Sequence, residues 1–217
     1  MRRIILLLIF VSLTGTIHGQ GLEIGVYTEP QFAWITSDEG SVASDGSVIH
    51  LNSGIHFDIY FMPAYAFTIG LDINNLGGKL RYRDSTEFEQ TNGTLTIPEG
   101  ITASHNLQYL SFPVGLKLKT TEMGFTTFYF HAGFSPMLNT RGVTSSSVIS
   151  VNRENIKPEI NRFSLGYFVS GGIEYRLAGN TALVAGLKWT SGFNDVTAND
   201  LTNNNLKSAG LHIGIIF

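Results

Sequence analysis

Apolar and polar residues alternate along most of this chain with a period of two. In the clearest run, one face carries Tyr65, Phe67, Ile69, Leu71 and Ile73, and the residues between them are small or polar. Period two is the spacing of a β-strand whose two faces meet different surroundings. No convincing helical period appears, and after Gln20 no apolar run reaches the roughly 18 residues of a membrane helix. We therefore predict an all-β fold.

Eight segments carry this alternation, and the connections between them alternate in length. The segments lie at about 22–35, 54–61, 65–73, 110–118, 127–134, 163–175, 183–189 and 209–217. Long connections cover 37–48, 75–106, 137–161 and 194–205, whereas short turns cover 62–64, 120–124 and 178–180. Long loops on one side and short turns on the other, with both termini on the short side, are typical of outer-membrane barrels. We predict an eight-stranded antiparallel up-and-down transmembrane β-barrel.

The composition of the two strand faces predicts which face points outward. Phe and Tyr recur on the apolar face, whereas the other face carries Gly, Ser and Thr with scattered charges. An eight-stranded barrel has room only for a filled interior, so aromatic residues from all strands would overfill it. This volume argument disfavours a soluble lipocalin-like barrel or a β-sandwich, in which the apolar face is buried. We expect lipid outside and a polar lumen inside, because strands cross a bilayer only as a closed barrel.

The aromatic residues predict two girdles at the membrane interfaces, where amphipathic rings prefer to lie. If the long connections are extracellular, the periplasmic girdle contains Phe61, Tyr65, Phe128, Tyr175 and Phe217. The outer girdle contains Trp34, Phe134, Phe163 and Trp189. The C-terminal Phe217 has a second expected role, because outer-membrane barrels typically end in an aromatic residue that the barrel-insertion machinery recognises.

The N-terminus predicts export. Arg2 and Arg3 precede an apolar run at 4–13, and the small, polar stretch at 14–19 offers a cleavage site before Gln20. We predict a cleaved signal peptide at 1–19 and a barrel domain at 20–217. A retained anchor is the alternative, but the apolar run is shorter than the roughly 20 residues that a spanning helix needs.

Composition excludes several classes of function. The chain has no Cys, which rules out disulfides, Cys-based metal sites and a lipid anchor on cysteine. Removal of residues 1–19 takes away two of 14 basic residues, so 12 face 17 acidic residues and the mature net charge is −5. Because phosphate contacts need a basic patch and none is visible, we expect no nucleic-acid partner. The predicted location is the outer membrane of a Gram-negative bacterium, surrounded by outer-membrane lipid.

One block of the chain resembles a known family. The residues Tyr109-Leu110-Ser111-Phe112-Pro113-Val114-Gly115-Leu116-Lys117 resemble the mid-barrel motif Tyr-Leu-x-x-Pro-x-x-Leu-Lys of the PorT-like outer-membrane β-barrel proteins of Bacteroidetes. The Gln at the predicted mature start, the Gly-rich later strands and the ending Gly-Ile-Ile-Phe fit as well. The architecture is also similar to OmpX-like and OmpA-like barrels. The resemblance implies a shared barrel, and it carries over no catalytic residue.

The polar face collects ionisable residues that we predict to line the lumen. They are His56, Asp58, Asp72, Lys117, His131, Glu174 and Lys188, with Arg162 and His212 as further candidates. We interpret them as a plug in which opposite charges pair across a narrow interior. The alternatives are a narrow ion path and a catalytic site in the lumen. If the plug exists, neutralising Glu174 or Lys117 should destabilise the barrel.

Motifs for enzyme chemistry are sparse. The histidines have no partner at the spacing of H-E-x-x-H, and no G-x-S-x-G elbow occurs. His131 and Ser135 share a face but lie about 13 Å apart along the strand, too far for a base and its nucleophile. We therefore expect no catalytic residue, no metal and no cofactor.

The long connections are better candidates for function, because binding residues are often carried on scaffolded loops. Residues 79–106 carry a basic run, an acidic run and β-prone residues at 94–97. We predict that they extend the third and fourth strands as a protruding hairpin whose edge pairs with a protein partner; a solvated hairpin without a partner is the alternative. The leading prediction is a non-enzymatic barrel that presents loops for binding or assembly. A minor porin-like channel and a lipid-modifying enzyme remain as alternatives.

Overall fold

The computed structural model describes residues 21–37, 42–90, 93–146, 151–155, 160–193 and 204–217. The predicted signal peptide lies outside these residues, as do parts of the predicted loops at 137–161 and 194–205. The strands found in the described ranges are β1 (Gly21–Ser37), β2 (Val42–Gly46), β3 (Val48–Met62), β4 (Tyr65–Tyr82), β5 (Thr86–Gln90), β6 (Gly93–Ile97), β7 (Thr102–Ser111), β8 (Val114–Lys119), β9 (Thr126–Ser146), β10 (Val151–Asn155), β11 (Phe163–Ala178), β12 (Thr181–Gly192) and β13 (Asn204–Ile216). In the same ranges, no helix is long and apolar enough to cross a membrane.

The antiparallel strands close into a ring. Its order is β1, β3, β4, β7 with β8, β9, β11, β12 and β13, which pairs again with β1. Both β7 and β8 pair with β4 and β9, so they are two parts of one strand. The strand is interrupted at Pro113, which has no backbone N–H to donate, although its carbonyl still accepts a hydrogen bond from Gly70 N at 2.7 Å. The predicted eight-stranded barrel is confirmed over the described residues.

The two faces of the wall differ as the sequence predicts. On β4, the outward side chains of Tyr65 and Ile73 are 43% and 54% exposed, whereas the inward Thr68 and Asp72 are 1% and 3% exposed. The outward run from Tyr65 to Ile73 is about 30 Å long at the rise of a strand. With the usual tilt of such barrels, this corresponds to an apolar band about 20–25 Å tall, the height expected for an outer-membrane barrel.

The strands extend well beyond this band, and the predicted loops at 37–48 and 137–161 are partly wrong. The predicted loop at 37–48 contains β2, whereas the predicted extension of the third and fourth strands into 79–106 is confirmed by the continuations of β4 and β7. The loop at 137–161 is strand up to Ser146 and contains β10. At 21 residues, β9 is about twice as long as the 9–11 residues that cross a bilayer. The excess length forms a sheet outside the membrane.

An exchange of polarity between the faces explains why these extensions resembled loops. Above Asn74 the inward side chains of β4 become apolar, namely Leu76, Leu80 and Tyr82, all at most 3% exposed. The outward side chains become polar, as at Lys79. Outside the bilayer a sheet meets water, so its apolar face turns inward as in a soluble protein.

The part on the side of the long connections, which is extracellular in barrels of this plan, is a five-stranded sheet in the order β10-β9-β7-β4-β2. We call it the extracellular sheet. The partner of β4 changes along the strand: β3 pairs with it as far as Ile73, and β2 pairs with it from Lys79 onward. Its inward face packs with residues of β1, β6 and β13 and with Ile160 into a separate apolar core, whose members are Ala33, Ile35, Val42, Leu76, Leu80, Tyr82, Ile97, Ala103, Leu107, Tyr109, Met137, Ile160 and Leu206.

Candidate functional site

The seven predicted lumen residues all point into the barrel. The side chains of Asp58, Asp72, Lys117, Glu174 and His56 are at most 9% exposed, and His131 and Lys188 line a central cavity. His212 lines the same cavity. The prediction for Arg162 is wrong: this residue is exposed, because it lies in the bend before β11 and not in the wall.

Near the short turns, lysines and carboxylates alternate across the lumen. Lys117 Nζ lies 2.6 Å from Asp58 Oδ2 and 2.6 Å from Glu174 Oε1. Lys119 Nζ lies 2.6 Å from Glu174 Oε2 and 2.7 Å from Glu23 Oε2. Because the lysines are two residues apart on β8, the strand period directs both inward. We call these five residues the charge ladder.

A second cluster lies deeper in the lumen around Glu29, which is 1% exposed. Its carboxylate lies 3.0 Å from Lys188 Nζ and 2.6 Å from His212 Nδ1, and it accepts a hydrogen bond from Asn52 Nδ2 at 2.7 Å. A buried carboxylate needs such partners, since an unpaired charge away from water is very unfavourable. Four strands, β1, β3, β12 and β13, are thereby connected through one side chain.

Between the clusters lies a small cavity with several imidazoles. It has a volume of about 30 Å³, which is room for one or two water molecules. His56 Nε2 lies 3.6 Å from Asp58 Oδ2, and the hydroxyl of Tyr27 donates a hydrogen bond to Asp72 at 2.8 Å. Among the described residues there is no group of three or more His, Cys, Asp or Glu that could hold a metal.

Further lumen residues that were not predicted from the sequence include Glu23, Tyr27, Glu29 and Lys119. A signal for each was present, because Glu23, Tyr27 and Glu29 alternate with the outward residues of β1 and Lys119 follows Lys117 by two. On the outward face, the polar Thr28 and the proline at 30 interrupt the apolar pattern, so β1 was the least regular segment and its inward face was not recognised.

The predicted girdle residues lie on the outer surface, and several form pairs. Eight of them are 42–58% exposed: Phe61, Tyr65, Phe128, Phe134, Phe163, Tyr175, Trp189 and Phe217. Trp34 is half-buried against Trp189, with ring centroids 5.2 Å apart in an edge-on arrangement. Next to the short turns, Phe61 stacks on Tyr65 at 6.2 Å. At the C-terminus, Phe217 N donates to Ile24 O at 2.9 Å and helps to close the ring.

The segment 79–106 forms strand extensions and a separate hairpin, β5–β6. The neck of the hairpin is closed by a hydrogen bond from Tyr82 N to Ile101 O at 3.1 Å, and Ile97 is fully buried in the extracellular core. The hydroxyl of Tyr82 lies 2.8 Å from His105 Nε2. Burial lowers the pKa of His105 to about 4, so its imidazole is neutral near neutral pH.

Comparison with known proteins agrees with this architecture. A comparison with curated proteins gives no match. Among solved structures, Neisserial surface protein A superposes with a TM-score of 0.51 at 14% identity, over 91% of this chain and 98% of that one. The outer-membrane protease OmpT from Escherichia coli gives 0.50 at 8% identity, over 94% and 98%. OprG from Pseudomonas aeruginosa gives 0.45 at 11% identity, over 92% and 97%.

The likenesses to Neisserial surface protein A and OmpT concern the fold alone, since the identities are low. The family is shown by the sequence itself, because the model of the "outer membrane protein beta-barrel domain" matches residues 18–198. To lie in a bilayer, such a domain needs an apolar band, a closed ring of strands and a polar lumen, and this barrel has all three. The chain belongs to the outer membrane protein β-barrel domain family and is located in the outer membrane.

Proposed function

We propose that this protein is a non-enzymatic barrel that presents its extracellular sheet and the β5–β6 hairpin to a protein partner. One observation carries the proposal: the wall continues past the apolar belt as a sheet with its own core, and within the described residues β2 and β10 are its terminal strands. A terminal strand has N–H and C=O groups free on one side, to which an extended segment of a partner can add.

The filled lumen supports a binding role over the alternative of a minor channel. The charge ladder and the cluster at Glu29 join strands across the interior, and the cavity between them has room for only one or two waters. The apolar core of the extracellular sheet lies above them. We expect the purified protein to give no stepwise conductance in planar bilayers, and regular steps would favour the channel.

The state of the lumen carboxylates supports a non-enzymatic role. Asp58, Glu29 and Glu174 each lie 2.6–3.0 Å from a lysine Nζ, and Asp72 accepts a hydrogen bond from Tyr27. A carboxylate held in this way is poorly placed to exchange protons with a substrate. The alternative, a lipid-modifying enzyme, predicts an altered lipid composition in a deletion strain, and we expect none.

The hairpin offers a direct test of the binding role. Replacing residues 87–96 by Asn-Gly retains the pair Thr86↔Ile97 and closes it with a two-residue turn. Because Ile97 stays in the extracellular core, the sheet should remain folded. We expect crosslinking in living cells, followed by purification, to recover a protein partner with the natural chain and at least tenfold less of it with the shortened one.

A matched control keeps the hairpin and changes only its tip. Thr91 and Asn92 connect β5 to β6, and their replacement by Asn-Gly should leave the crosslinked partner at its natural level. Equal recovery from the natural and shortened chains would refute a role for the hairpin. Heat-modified migration in gels establishes that each variant is folded.

We also propose that the protein is a PorT-like member from Bacteroidetes that is exported with a cleaved signal peptide. The block from Tyr109 to Lys117 supports this, since it forms the interrupted strand, and its Tyr and Lys are buried at 0% and 4% exposure. Sequencing of the mature N-terminus should begin at Gln20. If the insertion machinery recognises Phe217, its deletion should lower the amount of folded barrel in membranes while refolding in detergent persists.

A further inference from the structure

The lipid-facing wall has a groove of about 720 Å³ across β11, β12, β13 and β1. Its size falls within the ~300–1,000 Å³ of small-molecule sites. The lining is mostly apolar and consists of Pro30, Phe32, Phe130, Val169, Leu187, Trp189, Ala209 and Leu211, together with Ser170, Gly171, Lys188 and Gly210. We call it the lateral groove.

The lateral groove exists because small residues replace bulky ones on the outward face. Gly171 is paired with Phe130 on one side and Leu187 on the other, and Ala209 is paired with Phe32 and Trp189. Gly171 and Ala209 therefore form the floor between larger side chains. A Cβ at Gly171 would make only an ordinary contact, 3.5 Å from Tyr129 O, so the backbone itself does not require glycine there.

A cation and two indoles lie at the outer end of the lateral groove. Lys207 precedes Ala209 by two residues and lies on the same face of β13. It is the register partner of Trp34 on β1. Lys207 takes part in none of the ion pairs found among the described residues. Trp34 packs against Trp189, and tryptophan prefers the level of lipid headgroups. The apolar groove thus ends where an ammonium meets the headgroup layer.

We propose that the lateral groove binds a phosphorylated glycolipid of the outer leaflet, with an acyl chain over Gly171 and Ala209 and a phosphate on Lys207. Acyl chains match the apolar lining, and an ammonium is an ordinary partner of phosphate. This orientation of the lipid, with its phosphate outermost, agrees with the orientation of the barrel, because the strand extensions place Lys207 on the extracellular side. The lipid site is independent of the protein-binding role proposed above.

Native mass spectrometry of the purified barrel with added bis-phosphorylated lipid A tests this site. We expect one lipid adduct on the natural chain and about tenfold weaker binding for Lys207→Gln, which loses one charge-assisted contact. Ala209→Leu, which fills the floor, should weaken binding similarly. Two controls should bind normally: Lys79→Gln, an outward cation on β4, and Ala185→Leu, an outward small residue of β12 that does not line the groove.

The lipid probes separate this site from nonspecific adhesion. Dephosphorylated lipid A should bind the natural chain as weakly as the phosphorylated form binds Lys207→Gln. Equal binding by the natural chain and both groove variants would overturn the proposal, as would preferential retention of phosphatidylethanolamine. A dimer that Ala209→Leu dissociates would also overturn it, because a second copy would then occupy the groove.

Discussion

Removal of the Lys117 ammonium should show whether the charge ladder stabilises the barrel. Lys117→Met keeps most of the side-chain volume and removes the one lysine that, among the described residues, lies within ion-pair distance of Asp58. Glu174 loses one of its two lysines and retains Lys119. The variant therefore leaves carboxylates with 0% and 5% side-chain exposure facing each other across the lumen.

The expected loss of unfolding free energy follows from how deeply these carboxylates are buried. Breaking a buried ion pair by removing one partner destabilises proteins by about 3–5 kcal/mol, because the remaining charge stays uncompensated. At a denaturant slope of about 2 kcal/mol per M, this lowers the urea midpoint by about 2 M. An exposed pair is the matched control: Arg176 lies 2.5 Å from Glu122, but its side chain is 50% exposed. Arg176→Met should therefore cost less than about 1 kcal/mol.

The assay is reversible urea unfolding of the barrel in detergent, followed by tryptophan fluorescence. A triple variant, Lys117→Met with Asp58→Asn and Glu174→Gln, removes the charge left without a lysine at Asp58 and the charge left with a single lysine at Glu174, and it should recover more than half of the lost stability. Unfolding of Lys117→Met at the natural midpoint would refute a stabilising role of the charge ladder. A triple variant no more stable than the single one would also refute it, since the loss would then come from packing.

Three further predictions concern the extracellular sheet and its base. Burial lowers the pKa of His105 from 6.5 to about 4. The neutral imidazole therefore makes its full contribution to the stability of the sheet above pH 6.5, and up to about 3 kcal/mol is lost as the pH falls from 6.5 through 4. Hydrogen exchange corrected for intrinsic rates should show this loss, and His105→Gln should abolish it. Gly77 has a φ of 156°, and a Cβ there would overlap the carbonyl oxygen of His105. Gly77→Ala should therefore lower the urea midpoint by at least the equivalent of about 2 kcal/mol, whereas Gly21→Ala, in open space, should not. The chain has two tryptophans, Trp34 and Trp189, so lipids brominated near the headgroup should quench its fluorescence more than lipids brominated at the chain ends; the opposite order would contradict a girdle at this level.

The sequence alone was sufficient for the ring, because lipid outside and charge inside impose a simple alternation on each strand. Lys117 and Glu174 could be assigned to the lumen from period two without knowledge of their partners. The pairing itself could not be predicted, since it depends on the register of β8 against β9 and of β9 against β11. Arg162 was misassigned for a related reason: it continues the period of β11, but the strand begins only after it.

The extracellular sheet was not predicted as a sheet with its own core, because the apolar and polar residues of a strand can keep their period of two while the two faces exchange polarity. On β4 the exchange occurs at Asn75, and on the paired strand β7 the outward face changes from Gln108 to Leu110. These levels coincide, since Asn75 and Gln108 are register partners and Gln108 Nε2 donates a hydrogen bond to Asn75 Oδ1 at 3.1 Å. Lys207 followed by Ala209 shows the same change on β13. The polar side chains that resemble the start of a loop therefore mark the outer surface of the bilayer. Strands that continue beyond this surface need their apolar side chains on the opposite face, because the outward face now meets water and not lipid.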